Sequence, residues 1–354
     1  MASFPTYPAP GQPAVENSVN SRFLSHLNDD QIREAILERK DALVAKHFPG
    51  RVMNVFSVAE ALDLAGANFT VEKFALTADI PMSEDLPLGK LIPVPMRVTT
   101  VRMDTLEAIG VVGPDYGVVQ SLDAFTALDI LAKRGDLAIR NVHLVNNGAK
   151  IRVIALLGTS EFPSLDGAPN TLCHFAVFEA THDGSACTTA TVYTLRVECL
   201  NGMTSREVVQ VHKLRHTSRV SSRIEGVTQK VLKGLIGDAQ AEAAIFANLI
   251  RKPITRNQFE EFATTLLGEL EEEPSPRAVT RRENTMEELM GYFGSGNQGA
   301  GETAWGAYNT ITRWLEAKRE RYEDSVKAAK KFDANLSGDG QKKIARALKL
   351  LRKI

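Results

Sequence analysis

The sequence predicts an α+β fold: a mainly antiparallel sheet of two or more hairpins packed by helices, with a helical C-terminal region. Three observations lead there. Residues 138–145 and 150–157 alternate with period two around Asn146-Asn147-Gly148, and Asn-Gly is a strong hairpin signal. Two more strand-like runs, 172–181 and 186–199, flank a His182-Asp183-Gly184-Ser185 turn. From about Thr217 the period turns helical. Val220, Ile224, Val227, Val231 and Leu235 recur at four, three, four and four, one narrow stripe at about 100° per residue.

At 354 residues the chain exceeds one typical domain, and 44% apolar residues suffice for a sizeable core. The net charge of −1 excludes a whole-molecule basic field. Any nucleic-acid contact must come from a local patch. Three cysteines, Cys173, Cys187 and Cys199, are too few for a disulfide framework and point to a reducing cytoplasm. No basic and apolar leader and no run of 18 apolar residues is present, so a soluble protein with no membrane partner is expected.

In chain order, residues 1–20 carry Pro5, Pro8, Pro10 and Pro13 with few large apolar residues, and are expected to be a disordered tail. Residues 21–110 read as a region of helices and short strands. Asn28 caps a helix to Lys46, with Gln31 in the capping-box position. A short helix over 55–65 carries Val58, Ala61 and Leu62 and ends at Gly66. Pro81, Pro87, Pro93 and Pro95 are expected to cut 69–103 into turns and short edge strands.

Residues 111–273 form the expected α+β core. It opens with a short strand at 116–119 and a helix bearing Phe125, Leu128 and Leu131, between Ser121 and Gly135. The two hairpins follow, separated by a loop over 158–170. Both faces of the second hairpin are apolar, which predicts helices on one side and a partly wet surface on the other. Helices over 217–249, interrupted near Gly234 or Gly237, and 254–273 complete the core. Residues 274–301, with Pro274, Pro276 and several glycines, read as a linker. Residues 302–354 read as helical, with Trp305, Tyr308, Ile311, Thr312 and Leu315, then an Ile344, Leu348, Leu351 stripe set among lysines and arginines.

No catalytic, cofactor-binding or metal-binding constellation emerges. His212 and His216 share a helix spacing, but Lys213 stands where a zinc protease needs its glutamate, and Lys213 and Arg215 would repel a cation. Cys173 and His174 are adjacent and point to opposite faces of a strand. Gly294-Ser295-Gly296-Asn297-Gln298-Gly299 lacks the strand–turn–helix context of a dinucleotide loop.

The basic tract is more informative. Residues 206–233 hold seven Lys and Arg against two acids, beside the apolar stripe. Lys213, Arg215, His216, Arg219, Arg223 and Lys230 are therefore the expected nucleic-acid contacts, with Thr217, Ser218, Ser221 and Ser222 nearby as phosphate donors. A solvated, salt-bridged face is the ordinary alternative.

At Arg196-Val197-Glu198-Cys199-Leu200-Asn201, then Arg215-His216-Thr217, the sequence resembles a phage- and plasmid-borne family, domain of unknown function 932, also grouped as prophage uncharacterised proteins. The Tyr193-Thr194 strand, the His182–Ser185 turn and Thr303-Ala304-Trp305-Gly306-Ala307-Tyr308-Asn309 carry the same likeness, over about residues 115–320. Family members commonly have Thr or Ser after that Asn, where this chain has Gly202. The resemblance implies residence in bacteria or their mobile elements and brings no catalytic residues.

The expected function is non-enzymatic nucleic-acid binding by an accessory protein of a phage, prophage or plasmid, in the cytoplasm of a bacterium or infected host. Single-stranded DNA, in replication or recombination, is the favoured partner. A hairpin followed by a long basic helix is also how strand-annealing proteins are built, by analogy. The alternatives are an enzyme acting on nucleotides or nucleic acid through His216, Asn201 and Asp183, and a homo-oligomeric structural protein whose basic faces form subunit contacts.

Overall fold

The Asn146-Asn147-Gly148 turn illustrates how local sequence sets the architecture. The computed structural model describes residues 41, 44–45, 48, 51–82, 90–163, 165, 169–186, 188–196, 212–214, 224–293, 300–320 and 339–354. Among them, strands β1 (Val52–Val55), β5 (Ala138–Val145), β6 (Lys150–Pro163), β7 (Pro169–Thr181), β8 (Thr188–Arg196) and β9 (His212–Leu214) form one antiparallel sheet in the order β1-β5-β6-β7-β8-β9. Strands β2 (Val71–Ile80), β3 (Lys90–Arg102) and β4 (Glu107–Val112) form a second. The helices are α1 (Val58–Leu64), α2 (Ser121–Ala124), α3 (Thr126–Lys133), α4 (Ile224–Leu249), α5 (Arg256–Leu267), α6 (Pro276–Tyr292), α7 (Ala304–Glu320) and α8 (Asp339–Leu351). The fold is α+β, with the last four helices gathered at the C-terminal end.

Asn146, Asn147 and Gly148 all have positive φ, at 48°, 57° and 96°. Asparagine tolerates this region and glycine adopts it freely, so the hairpin closes with Val145 opposite Lys150. A Cβ on Gly148 would lie 2.4 Å from Cζ of Phe69. Gly148→Ala therefore combines a left-handed alanine with a clash, and is expected to cost roughly 3 kcal/mol in urea unfolding. A variant as stable as the parent would show that Phe69 moves aside freely.

The β7–β8 turn is held by side chains. Thr181 Oγ1 donates to the Ala186 carbonyl at 2.6 Å, and Asp183 Oδ1 accepts the Ser185 N–H at 2.9 Å. Strands β6 and β7 run further than their alternation suggested. Of the expected loop over 158–170, residues 158–163 and 169–170 are instead the ends of β6 and β7, still paired at Pro163 and Pro169.

Alternation along β6–β8 sends Val153, Ala155, Ala176, Phe178 and Val192 to one face, under α1, α3 and α4. Ile154, Leu156, Phe175, Val177 and Tyr193 go to the other. Around Phe48 that second face is dry, since Phe48 meets Phe175 and Tyr193 edge-on with centroids 5.1 and 5.6 Å apart; toward the β7–β8 turn the same face carries Glu179, Thr189 and Thr191, which are partly exposed.

Several expectations need correction. The 116–119 stretch is not a strand; Tyr116 instead donates its hydroxyl to the Thr181 carbonyl at 3.1 Å, while 107–112 supplies β4. β3 continues as one strand through Pro93 and Pro95, with a bulge between Pro93 and Val98 where Met96 has φ 56°; β4 pairs only with its Val98–Arg102 half, so the outer edge carries no β4 ladder at the prolines. α4 is continuous through Gly234 and Gly237. The helix expected over 254–273 stops at Gly268, φ 83°. Within the expected linker lies α6, capped by Ser275, with Pro276 in its first turn and Leu289 buried against α7. The expected tail and most of the 28–46 helix fall outside the described residues.

Candidate nucleic-acid interface

α4 is fastened to the sheet by polar side chains at an apolar phase. Extending the stripe of Val231 and Leu235 by four, three and four residues reaches Ala239, Glu242 and Phe246, all buried. Glu242 is thus a carboxylate in a core position. Ser160 on β6, His174 on β7 and Thr194 on β8 face it, and all four are at most 1% exposed. Ser160 Oγ lies 2.7 Å from His174 Nε2, His174 Nδ1 lies 2.8 Å from Thr194 Oγ1, and Thr194 donates to Glu242 Oε2 at 2.5 Å. The threonine has one proton, and it goes to the carboxylate. His174 Nδ1–H must then donate to Thr194, and Nε2 accepts from Ser160. Every bond in the chain points toward Glu242.

Burial lowers the His174 pKa from its ordinary 6.5 to about 3. A neutral imidazole is what this network needs. The serine–histidine–acid order resembles a nucleophile relay. Thr194 separates His174 from the acid, and the serine is closed from solvent, so the chain orients α4 on the sheet.

One layer further, Arg196 at the end of β8 is 1% exposed. It donates to Asn309 Oδ1 at 3.0 Å and to Asn170 Oδ1, and its guanidinium lies 5.5 Å from the Trp305 ring centre. Tyr308, beside Asn309, is also fully buried; burial, then the Glu242 charge, raises its pKa. Two stretches that carry the family likeness, one beginning at Arg196 and one spanning residues 303–309, thus meet in the interior.

The predicted contacts divide sharply. Lys213 stands on edge strand β9 opposite Thr189, in a register row that continues through Glu179, Arg152 and His143. Within that row Arg152 donates to Glu179 at 2.7 Å. His212–Leu214 is strand, so the helix spacing of His212 and His216 does not place both on one helix face. Lys230 is exposed on α4. Arg215, His216, Arg219 and Arg223 lie outside the described residues, as does Asn201. Asp183 serves the β7–β8 turn. Among the described residues no group of three or more His, Cys, Asp or Glu is placed to hold a metal ion, and no helix is long and apolar enough to cross a membrane.

The described cations concentrate on α8. Ile344, Ala347, Leu348 and Leu351 are buried against α7 and α5. The opposite side exposes Lys342, Arg346 and Lys349, followed by Lys353 in the next turn. At about 100° per residue these four fall within about 60° of one another and span about 16 Å. Arg346 is steadied by the Thr265 carbonyl at 2.9 Å. One carboxylate, Glu261, lines the same shallow groove as Lys353.

A family model described as "Domain of unknown function (DUF932)" matches residues 108–346. The chain belongs to this family. The DUF932 match begins in β4 and ends in α8, so it takes in the main sheet except β1, the polar network, the Arg196 site and the predicted basic tract. It leaves out β2 and β3. No curated protein and no solved structure matches the chain.

Proposed function

We propose that this DUF932 protein is a nucleic-acid-binding accessory protein of a phage, prophage or plasmid, with single-stranded DNA as its favoured partner. A cytoplasmic site of action goes with that reading. The observation that carries it is the cationic row of α8, packed on a firm apolar base in a chain of net charge −1. A row of ammonium and guanidinium groups on one side of a helix matches a phosphate backbone, which binds by releasing counterions. The tract Lys213, Arg215, His216, Arg219, Arg223 and Lys230 supplies the second proposed contact surface.

Titration with single-stranded and duplex DNA at several salt concentrations tests this. Each lost phosphate contact reduces the slope of log Kobs against log salt by about 0.7 for single strands. Changing Lys342, Arg346, Lys349 and Lys353 together to Ala is expected to reduce it by about 3. Changing Lys213, Arg215, Arg219 and Arg223 to Ala should produce a separate loss of similar size. Absence of salt-sensitive binding in the parent, or an unchanged slope in both variants, would refute the proposal.

A further inference from the structure

β2 and the first half of β3 form an arm whose side chains are mostly exposed over 72–80 and 90–97. Its two edges are treated differently. Beyond Val98 the β3 edge has no β4 partner, but Pro93 and Pro95 remove N–H donors there and blunt it. Among the described residues β2 is the other edge of its sheet, ten residues long, with neither proline nor glycine; Gln120 bonds the Val71 N–H and carbonyl at 3.0 and 2.9 Å, and Glu72–Ile80 pairs with no strand on that side. Such an edge is a template for another strand. Its even-numbered face is also apolar: Phe74, Leu76, Ala78 and Ile80, joined by Ile92, which neighbours Ala78. Phe74 is 43% exposed, Ile80 40% and Ile92 37%.

We propose that β2 pairs antiparallel with β2 of a second copy of this chain about a two-fold axis at Leu76. The charges select both the partner and the register. With Leu76 opposite itself, Lys73 lies opposite Asp79 of the other copy, twice over. Phe74 then lies opposite Ala78, and Ala75 opposite Thr77. Sliding by one residue in one direction sets Glu72 against Asp79, and in the other sets Phe74 against Asp79. Like or mismatched cross-strand pairs are unfavourable. The two-fold pairing makes the surface self-complementary and joins the two apolar faces into one. Lys73 donates to the Pro114 carbonyl at 2.8 Å, and an ammonium has two further protons for Asp79. The arm lies outside the DUF932 match, and the pairing does not depend on the nucleic-acid reading.

Sedimentation equilibrium of the full chain tests it. The parent should dimerise. Lys73→Asp and Asp79→Lys should each weaken self-association roughly tenfold or more, by placing like charges opposite one another twice. Mixing the two single variants should restore a heterodimer, because each mismatch then becomes a match. These are exposed positions, and an unchanged thermal melt confirms that both variants fold. A monomeric parent, or two single variants that dimerise as well as the parent, overturns the proposal. So does protection of the β2 amides from hydrogen exchange in a monomer, which would mean that another part of the chain covers the edge.

Discussion

Between pH 7 and pH 5 the folded state is expected to lose roughly 4 kcal/mol to two histidines. His174 is held at about 3 and His182 at about 4, both by burial, against an ordinary 6.5. His182 sits in the β7–β8 turn, with Ser121 Oγ 3.4 Å from its Nε2 and the Phe69 ring edge-on. Both imidazoles are neutral when folded. The unfolded chain takes up protons as pH falls below 6.5, while the folded chain does not follow until about 4 and then 3. Stability is therefore full above 6.5 and declines down that window, at about 1.4 kcal/mol per pH unit for each histidine. Urea unfolding at pH 7, 6 and 5 measures it. A His182→Asn variant should show about half the dependence. Equal stability at pH 7 and pH 5 would mean that these rings gain protons without unfolding.

Arg196→Ala is expected to cost on the order of 4 kcal/mol. Hydrogen bonds to a charged group contribute about 1.5–3 kcal/mol each, and this guanidinium makes two, to Asn309 and Asn170. Its stacking on Trp305 is lost as well. Arg196→Lys keeps the charge without the planar fork and should recover only part of the loss. If Arg196→Ala melts like the parent, the interior pair of amides is satisfied by water and the site is not a structural joint.

Much of this architecture is legible in the residues. The hairpins are, because period-two alternation and Asn-Gly coincide, and Leu235 and Val231 take the inward phase that their spacing requires. The failures have physical causes. Pro276 reads as a breaker, yet after Ser275 it is a favourable first-turn residue, so α6 begins where a linker was expected. Pro93 and Pro95 read as strand ends, yet an open edge accepts them. The Val118-Val119 pair is β-branched but pairs with no strand among the described residues. Glu242 reads as a surface residue until the stripe is carried past Leu235, which turns it inward toward three strands distant in sequence.

The contact between Arg196 and Asn309 spans 113 residues. During synthesis the hairpins can close as soon as their own strands have emerged, since β5 to β8 pair with near neighbours in the chain. The guanidinium at the end of β8 has Asn170 beside it from the start, but must wait for α7 before Asn309 and the Trp305 indole exist. A nascent chain stopped before residue 304 thus holds a sheet with a cation at an unfinished seam. Completion of the interior is a late event, coupled to arrival of the C-terminal helices.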